Sequence, residues 1–219
     1  MGNIKLLADY YGRRAQEYEQ IYNRDDPIRQ KEQNDIATAM KKLLAKKRVL
    51  EIACGTGYWT KFIVEVVDYV VAMDISDDML AIARQKGLPS YRVEFCQGNA
   101  YDLDPIKVIF NGGVANFWLS HIPKARIDEF LKGFHKKLSS GAIVFMADNV
   151  YVPKVGGELI KRPDSKDTFK LRELTDGSKY EVLKNYYDEE QLSYIFSPHG
   201  RDVKINIGKC FWWLSYLVK

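Results

Sequence analysis

Cysteine and histidine are scarce in this chain, with three of each among 219 residues. Cys54, Cys96 and Cys210 are widely spaced and form no Cys-x-x-Cys pair, and the histidines are not clustered. This pattern argues against both a disulfide framework and a zinc site. Because no acidic trio suggests a magnesium site either, the sequence predicts no metal centre and a reducing, cytoplasmic location.

Long apolar runs and a strong net charge are also absent. No run approaches the roughly 20 residues that span a bilayer, and the N-terminus lacks the apolar core of a signal peptide, so no membrane association is expected. The net charge is +4, and the densest basic run, Lys41 to Arg48, is interpreted as a solvated helix end, not a nucleic-acid-binding surface. With 46% hydrophobic residues, the chain is expected to form one α/β domain, 1–219.

A strand, a glycine turn and a helix follow one another directly between Arg48 and Trp59. The apolar residues at the start of this segment indicate a buried parallel strand, and Gly55 and Gly57 allow positive φ angles and close contact between main chain and ligand. Glu51 interrupts the apolar run. Since a buried carboxylate needs partners, we expect it to bind main-chain N–H groups of the turn or a cationic ligand.

Asp74 ends the next apolar run, Val70 to Met73. A carboxylate about 20 residues past the glycine turn of an open α/β sheet usually accepts hydrogen bonds from the hydroxyls of an adenosine ribose. A dinucleotide also needs a third glycine to seat its pyrophosphate, but position 60 is Thr. Tyr58 and Trp59 crowd the helix start as well, so the turn suits a compact adenosine ligand such as S-adenosylmethionine.

These residues resemble the first motif of the class I S-adenosylmethionine-dependent methyltransferases, commonly Glu/Asp-x-Gly-x-Gly-x-Gly. The match comprises Glu51, Ala53, Gly55 and Gly57, with Ala53 in place of the first glycine. The resemblance implies a seven-stranded, mostly parallel, doubly wound sheet with an antiparallel last strand, and methyl transfer that yields S-adenosylhomocysteine. It also implies cofactor contacts for Asp74 with the ribose, Ile75 and Met79 with the adenine, Asn99 and Ala100 with the adenine amine, and Asn116.

The order of elements divides the chain into four parts. Residues 1–47 are predicted to form two helices that cap the pocket, one from Ile4 to Tyr22 and one that Pro27 opens and that ends near Lys47. Residues 48–149 are predicted to form an alternating strand–helix core that binds the cofactor. Residues 150–186 are predicted to form an inserted hairpin, a lid, closed by a turn at Asp176-Gly177. Residues 187–219 are predicted to form a helix and an antiparallel strand pair. Within the core, helices are expected at 58–67, 77–86 and 124–138.

His121 follows the fourth predicted strand, where the resemblance places residues that face the substrate. Its ordinary pKa lies near neutrality, which makes it the best candidate for a general base, although it could instead cap the next helix. Asp148 ends the fifth strand and could orient an acceptor hydroxyl or amine, or simply finish the strand.

The N-terminal helix carries Tyr11, Arg14 and Tyr18 on one face. In the methyltransferases that it resembles, such a helix folds over the cofactor, so Arg14 could pair with the methionine carboxylate and Tyr11 could lie against the sulfonium. A plain aromatic stripe with a surface arginine is the alternative. An acceptor pocket among Tyr11, Trp118, Tyr151 and Trp212 would favour a small, partly aromatic or apolar acceptor.

Two other functions fit the sequence. One is a nicotinamide-dependent oxidoreductase, and Tyr180-x-x-x-Lys184 is the pair that short-chain dehydrogenases place on a helix, but here it falls on a predicted strand. The other is a catalytically silent, cofactor-binding or partner-activating module. The expected state is a monomer or a homodimer.

Overall fold

A seven-stranded mixed sheet forms the centre of the protein, in the order β3-β2-β1-β4-β5-β10-β9. The computed structural model describes residues 9–153, 155, 157–174 and 176–219, except for the side chain of Gln16. The strands of this sheet are β1 (Arg48–Ile52), β2 (Tyr69–Asp74), β3 (Val93–Gln97), β4 (Phe110–Val114), β5 (Leu138–Asn149), β9 (Gly200–Ile207) and β10 (Phe211–Val218). Three further strands, β6 (Leu159–Lys161), β7 (Thr168–Glu173) and β8 (Lys179–Leu183), form a separate sheet.

The direction of the strands agrees with the fold implied by the resemblance. The strands β3, β2, β1, β4 and β5 pair in parallel, whereas β10 pairs antiparallel with both β5 and β9. The strand order reverses between β1 and β4, and a crevice opens at the carboxyl ends of strands at such a switch point. The predicted α/β fold is confirmed, and the crevice lies where the glycine turn leaves β1.

Helices cover both faces of the sheet. They are α1 (Pro27–Leu44), α2 (Thr60–Ile63), α3 (Asp77–Gln85), α4 (Ile127–His135) and α5 (Glu189–Phe196). The first three pack over one face, where Met40 and Leu44 of α1 are fully buried, and α4 and α5 pack over the other through Phe134 and Phe196. None of the described helices is both long and apolar enough to cross a bilayer.

Some predicted helices are shorter than expected. The helix predicted at 58–67 is α-helical only over Thr60–Ile63, because the β-branched valines that follow favour other conformations. The helix predicted at 124–138 begins with a 3₁₀ turn and ends at His135, and Leu138 already belongs to β5. These corrections leave the order of the elements unchanged.

The N-terminal part forms a cap over the crevice, defined here as residues 9–22. Residues 9–14 are α-helical, and the chain then tightens into a 3₁₀ helix over Ala15–Ile21. The start of the predicted first helix, from Ile4, lies outside the described residues. The helix α1 begins as predicted at Pro27, with the Asp26 side chain accepting a hydrogen bond from the Arg29 N–H, but ends at Leu44, before Lys47.

The inserted segment contains the predicted hairpin, β7 and β8, and one further strand. The short strand β6 pairs antiparallel with β7, giving the three-stranded lid sheet β6–β8. The chain that follows β8 is fixed to the core, because the Asn185 N–H donates to the Ser120 carbonyl at 2.8 Å. The lid sheet therefore has a defined position above the carboxyl ends of β4 and β5.

Candidate active site

The glycine turn after β1 is built from residues with positive φ. Gly55 and Gly57 have φ values of 57° and 73°, and Ala53 has 55°. A side chain at Gly57 would meet the Cβ of Ala83 on α3 at 3.1 Å, so this glycine permits close packing. Ala53 occupies a left-handed conformation that costs an L-residue about 1 kcal/mol, which is the physical cost of replacing the first glycine of the motif.

Asp74 joins the end of β2 to this turn. Its carboxylate accepts hydrogen bonds from the N–H groups of Gly55 at 2.8 Å and Ser76 at 2.9 Å. Burial raises the pKa of Asp74, and these backbone hydrogen bonds oppose the rise. The carboxylate is thereby fixed at the bottom of the crevice, beside the main chain of the turn.

Glu51 lies beneath the turn and does not line the crevice. Its side chain is 2% exposed, and its carboxyl accepts a hydrogen bond from the Thr60 hydroxyl at 2.7 Å. Burial raises the pKa of Glu51 to about 8, while the hydrogen bond from Thr60 lowers it and the charge of Asp74 raises it. The partner expected for Glu51, a main-chain N–H or a cationic ligand, is thus replaced by a side-chain hydroxyl.

The crevice forms a cavity of about 850 Å³, open solvent at its mouth included, which we call the glycine-turn cavity. Ten of the predicted site residues line it: Tyr11, Ala53, Gly55, Asp74, Ile75, Met79, Asn99, Ala100, Asn116 and His121. Four do not, namely Arg14, Glu51, Gly57 and Asp148. The structure therefore brings together the turn, the end of β2 and the Asn99 segment, as the motif spacing predicted.

Two buried polar atoms on the wall of this cavity have no hydrogen-bond partner among the described residues. They are the amide oxygen Oδ1 of Asn116 and the indole Nε1 of Trp118. Buried polar groups are rarely left unpaired, so such atoms point to a polar ligand. Asn99 differs from them, because its Oδ1 already accepts from the Tyr101 N–H at 3.0 Å.

Aromatic side chains from the cap close the glycine-turn cavity. Tyr22 stacks on Tyr58 with 3.6 Å between ring centroids, and the indole N–H of Trp59 donates to the Tyr22 hydroxyl at 3.3 Å. Tyr22 was not among the predicted site residues. The spacing of the tyrosines could have indicated it. Tyr11, Tyr18 and Tyr22 are seven and four residues apart, which places them on one face of a helix.

A second cavity, which we call the arginine chamber, lies between the cap, the start of α1 and the lid sheet. Its volume is about 810 Å³, open solvent included. Its cationic lining residues are Arg14, Arg24, Arg29, Arg172 and Lys184. Five residues line both cavities: Tyr11, Tyr18, Tyr22, Phe117 and His121. The two cavities thus meet at a ring of aromatic side chains.

His121 lies at this junction with both ring nitrogens engaged. Nδ1 is 2.8 Å from the carbonyl oxygen of Leu183, and Nε2 is 2.8 Å from the hydroxyl of Tyr11. A carbonyl only accepts, so Nδ1 carries the proton and Nε2 accepts from Tyr11. Burial, and then the charge of Lys184, lower the pKa of His121 to about 3. The general-base role of His121 stays a prediction, and in this structure the ring is neutral with both nitrogens engaged.

Asp148 lies behind the arginine chamber, in a buried network with Lys184 and Ser120. Lys184 Nζ donates to Asp148 Oδ1 at 3.1 Å and to the Ser120 hydroxyl at 2.7 Å. Asp148 also accepts from the Ser120 N–H at 3.0 Å. Lys184 belongs to the dehydrogenase-like motif and was not among the predicted site residues. Nothing in the local sequence indicates that the chain after β8 brings it to the end of β5.

The acceptor pocket expected among four aromatic residues does not form. Tyr11 and Trp118 line the glycine-turn cavity, but Tyr151 is 42% exposed and Trp212 is fully buried in the core. Trp212 faces the interior because β10 is a central strand, between β5 and β9. Arg14 likewise lies in the arginine chamber, where its guanidinium donates to the Tyr10 hydroxyl at 2.9 Å, and does not line the glycine-turn cavity.

Comparison with known proteins agrees with this geometry. Residues 49–141 match the family described as Methyltransferase domain. An uncharacterized methyltransferase of Staphylococcus carnosus (strain TM300) is 26% identical over 176 residues, which cover 80% of each chain. A demethylmenaquinone methyltransferase of Clavibacter sepedonicus is 29% identical over 159 residues, covering 68% of this chain and 63% of that protein.

Solved structures share the whole fold. The structure of a DhpI–SAH complex superimposes with a TM-score of 0.82 at 24% identity, covering 99% of this chain and 97% of that chain. The DhpI-SAM-HEP complex gives a TM-score of 0.81, also at 24% identity, and covers 98% of this chain and 97% of that chain. The likeness includes the cap and the lid sheet as well as the core.

Proposed function

We propose that this chain is an S-adenosylmethionine-dependent methyltransferase that methylates a small-molecule acceptor and releases S-adenosylhomocysteine. The match of residues 49–141 to the Methyltransferase domain family supports this proposal. The observation that carries this proposal is the meeting of two cavities, of about 850 and 810 Å³, at one ring of side chains. One cavity has the features of an adenosine site, and the other offers separate space for an acceptor.

The glycine-turn cavity fits S-adenosylmethionine. In this proposal Asp74 accepts hydrogen bonds from the ribose hydroxyls, Ile75 and Met79 flank the adenine, and Asn99 and Ala100 contact the adenine amine. The unpartnered Oδ1 of Asn116 supports the assignment, because it offers an acceptor for a bound amino group. S-adenosylmethionine supplies an activated methyl group on a sulfonium.

The ring of side chains between the cavities then orients the acceptor. Tyr11, Tyr18 and Phe117 present aromatic surfaces at the junction, and aromatic faces tolerate a nearby positive charge. Methyl transfer needs the acceptor atom held in line and water excluded, and it demands few dedicated groups. The aromatic walls agree with a partly aromatic or apolar acceptor, whereas the arginines on the far side require a polar group on it as well.

Specific observations disfavour the two rival functions. The turn lacks the third glycine of a dinucleotide site, since Thr60 stands in its place. Thr60 is fully buried and its hydroxyl donates a hydrogen bond to Glu51. A catalytically silent module would not need acceptor space, whereas the arginine chamber is roomy and connected to the glycine-turn cavity. Methyl transfer is therefore the best supported of the three.

Calorimetric titration tests this proposal. We expect S-adenosylhomocysteine to bind the purified protein at micromolar concentration, and reduced nicotinamide dinucleotides not to bind. Asp74→Ala should weaken S-adenosylhomocysteine about 100-fold, because two charge-assisted hydrogen bonds together contribute about 3 kcal/mol.

Two further variants make the titration decisive. Asp74→Asn keeps the shape of the turn and should weaken binding by a smaller factor. Asp77→Ala, at an exposed acid three residues further along, should leave binding unchanged. Tight nicotinamide binding, or undiminished S-adenosylhomocysteine affinity in Asp74→Ala, would contradict the proposal.

A further inference from the structure

The arginine chamber is lined by several cationic side chains. Four arginines and Lys184 line it, and no Asp or Glu is among its described lining residues. Lys184 is paired with Asp148 at 3.1 Å, so its charge is largely balanced from behind. The remaining positive charge comes from the guanidinium groups.

Arg29 is the most buried of these arginines, at 9% exposure. Among the described residues, the only carboxylate within 4 Å of its guanidinium is that of Asp26, at 3.9 Å, which is too long for a hydrogen bond. Its guanidinium lies 4.8 Å from the ring centroid of Phe211. Buried cations normally have a charged or hydrogen-bonded partner, so this geometry indicates that a ligand supplies one.

Gln33 lies one helical turn after Arg29 and lines the same chamber. It is 6% exposed, and its Nε2 donor has no partner among the described residues. A buried guanidinium and a buried amide donor on one face of α1 both require an oxygen acceptor.

The charges of the residues near Arg29 also indicate that the chamber is positively charged. Burial and, after it, the charges of three neighbouring arginines lower the pKa of Arg24. Three glutamates, Glu17, Glu158 and Glu173, line an outer groove that shares three of the arginines with the chamber, but they do not line the chamber. Of the four described arginines of the chamber, Arg29 is the one that does not share that groove with the glutamates.

We infer that the acceptor bound in the arginine chamber is a small organic anion, a carboxylate or a phosphonate or phosphate ester, and that its own anionic oxygen receives the methyl group. The inference rests on the proposed function, since it assigns the acceptor of the same site. Such anions have two or more oxygens, so a guanidinium can hold one while another faces the glycine-turn cavity.

The surroundings of His121 support the second part of the inference. An alcohol or amine acceptor must lose a proton, but the ring nitrogens of His121 are occupied by Leu183 and Tyr11. The other groups around this ring are Asp148, Lys184 and Arg172, of which Asp148 lines neither cavity. His121 is accordingly a positioning residue that orients the Tyr11 hydroxyl.

An anionic acceptor needs no base. Its oxygen forms the new bond to the methyl carbon, the carbon–sulfur bond breaks, and the bonding electron pair stays on sulfur. The negative charge of the oxygen and the positive charge of the sulfonium cancel, and no proton is released.

Binding of small probes tests the charge of the acceptor. With the protein saturated with S-adenosylhomocysteine, butyrate and propylphosphonate should bind in calorimetry, at least tenfold more tightly than neutral butyramide or cationic butylammonium. The two anions distinguish carboxylate from phosphonate recognition. Arg29→Met, which keeps the packing on Phe211, should weaken the better anion at least tenfold, and Arg29→Lys should restore part of the affinity.

Arg13→Met is the control for loss of a nearby arginine, because Arg13 lies on the cap beside the chamber but is exposed and lines neither cavity. It should leave anion affinity unchanged. The inference is wrong if neither anion binds better than the neutral probe, or if Arg29→Met and Arg13→Met behave alike. Loss of S-adenosylhomocysteine binding itself would instead overturn the proposed function.

Mass spectrometry after incubation with S-adenosylmethionine tests the reacting atom. Anions that bind should yield methyl esters, whereas the corresponding alcohols should not yield ethers. Methylation of an alcohol or amine without ester formation, or anions that bind and are never esterified, would overturn the assignment of the anionic oxygen.

Discussion

The glycine-turn cavity and the arginine chamber meet at one ring of side chains, yet they are built differently. The first is lined mainly by three short segments, around residues 53–59, 73–79 and 98–100, each at the carboxyl end of a parallel strand. The second combines the cap, the start of α1, the end of β5 and the lid sheet. The comparison shows that the proposed cofactor site is formed by residues close together in the sequence, whereas the proposed acceptor site depends on segments that folding brings together.

The two regions also stabilise a buried carboxyl group in opposite ways. Beneath the glycine turn, burial raises the pKa of Glu51 to about 8, so this carboxyl stays protonated near neutral pH. Behind the arginine chamber, burial alone would raise the pKa of Asp148, but Lys184 holds it below its ordinary value. Burial lowers the pKa of Lys184 despite Asp148. We take the ion pair as the neutral-pH state, because Nζ donates to both Asp148 and Ser120.

Removing the positive charge of Lys184, at the wall of the arginine chamber, should have the largest effect on stability. Lys184→Met leaves Asp148 buried without its partner, and breaking a buried ion pair costs about 3 to 5 kcal/mol. Urea unfolding at pH 7 measures this loss. Lys179→Met, at an exposed position on β8, the strand that Lys184 directly follows, should cost under about 0.5 kcal/mol.

The double variant Asp148→Asn with Lys184→Met should recover part of the stability, because no uncompensated charge remains. If Lys184→Met is no more destabilising than Lys179→Met, the two regions do not differ in the way their buried carboxyls are held.

The pH dependence of stability tests Glu51, at the other end of the comparison. The unfolded chain ionises this carboxyl above its ordinary pKa of 4.5, whereas the folded protein keeps the proton up to about pH 8. Ionisation therefore favours the unfolded state as the pH rises between these values. The Glu51 contribution should reduce the free energy of unfolding by about 2 to 3 kcal/mol between pH 5 and pH 7.

Glu51→Gln keeps an acceptor for the Thr60 hydroxyl and removes the ionisation. The difference in unfolding free energy between this variant and the unaltered protein should therefore grow with pH and level off above about pH 8. Glu94→Gln, at an exposed position on β3, should not reproduce this trend. A constant difference across pH 5 to 8 would show that Glu51 is already ionised in the folded protein.

The sequence predicted the fold and the glycine-turn cavity well because their signals are local. The apolar run before Glu51, the glycines and Asp74 lie within 27 residues of one another, and parallel pairing of β1 with β2 brings them together. The polar residues Arg29 and Gln33 at the start of the buried face of α1 were a weaker signal, since they continue the apolar stripe of Ile36 and Met40.

The arginine chamber could not be predicted in the same way. Arg24 and Arg172 are 148 residues apart in the chain, and only the docking of the lid sheet over the cap brings them to one cavity. The pKa of His121 could not be predicted either, because it depends on burial and on Lys184, which lies 63 residues later, directly after β8. Contacts between residues so far apart in the chain produce no periodic sequence pattern from which they could be predicted.

The smallest predicted effect concerns the link between the cap and the glycine turn. Glu19 of the cap accepts from Lys86 Nζ and from the Thr56 hydroxyl, each at 2.6 Å, and both contacts are half-buried. Lys86→Met should loosen the cap and weaken S-adenosylhomocysteine about fivefold, or about 1 kcal/mol, with little change in unfolding free energy. Lys31→Met, at an exposed pair with Asp35 on α1, should not change affinity. Because the contact is electrostatic, the difference between these two variants should shrink at high salt, and a difference that persists there would assign the effect of Lys86 to packing.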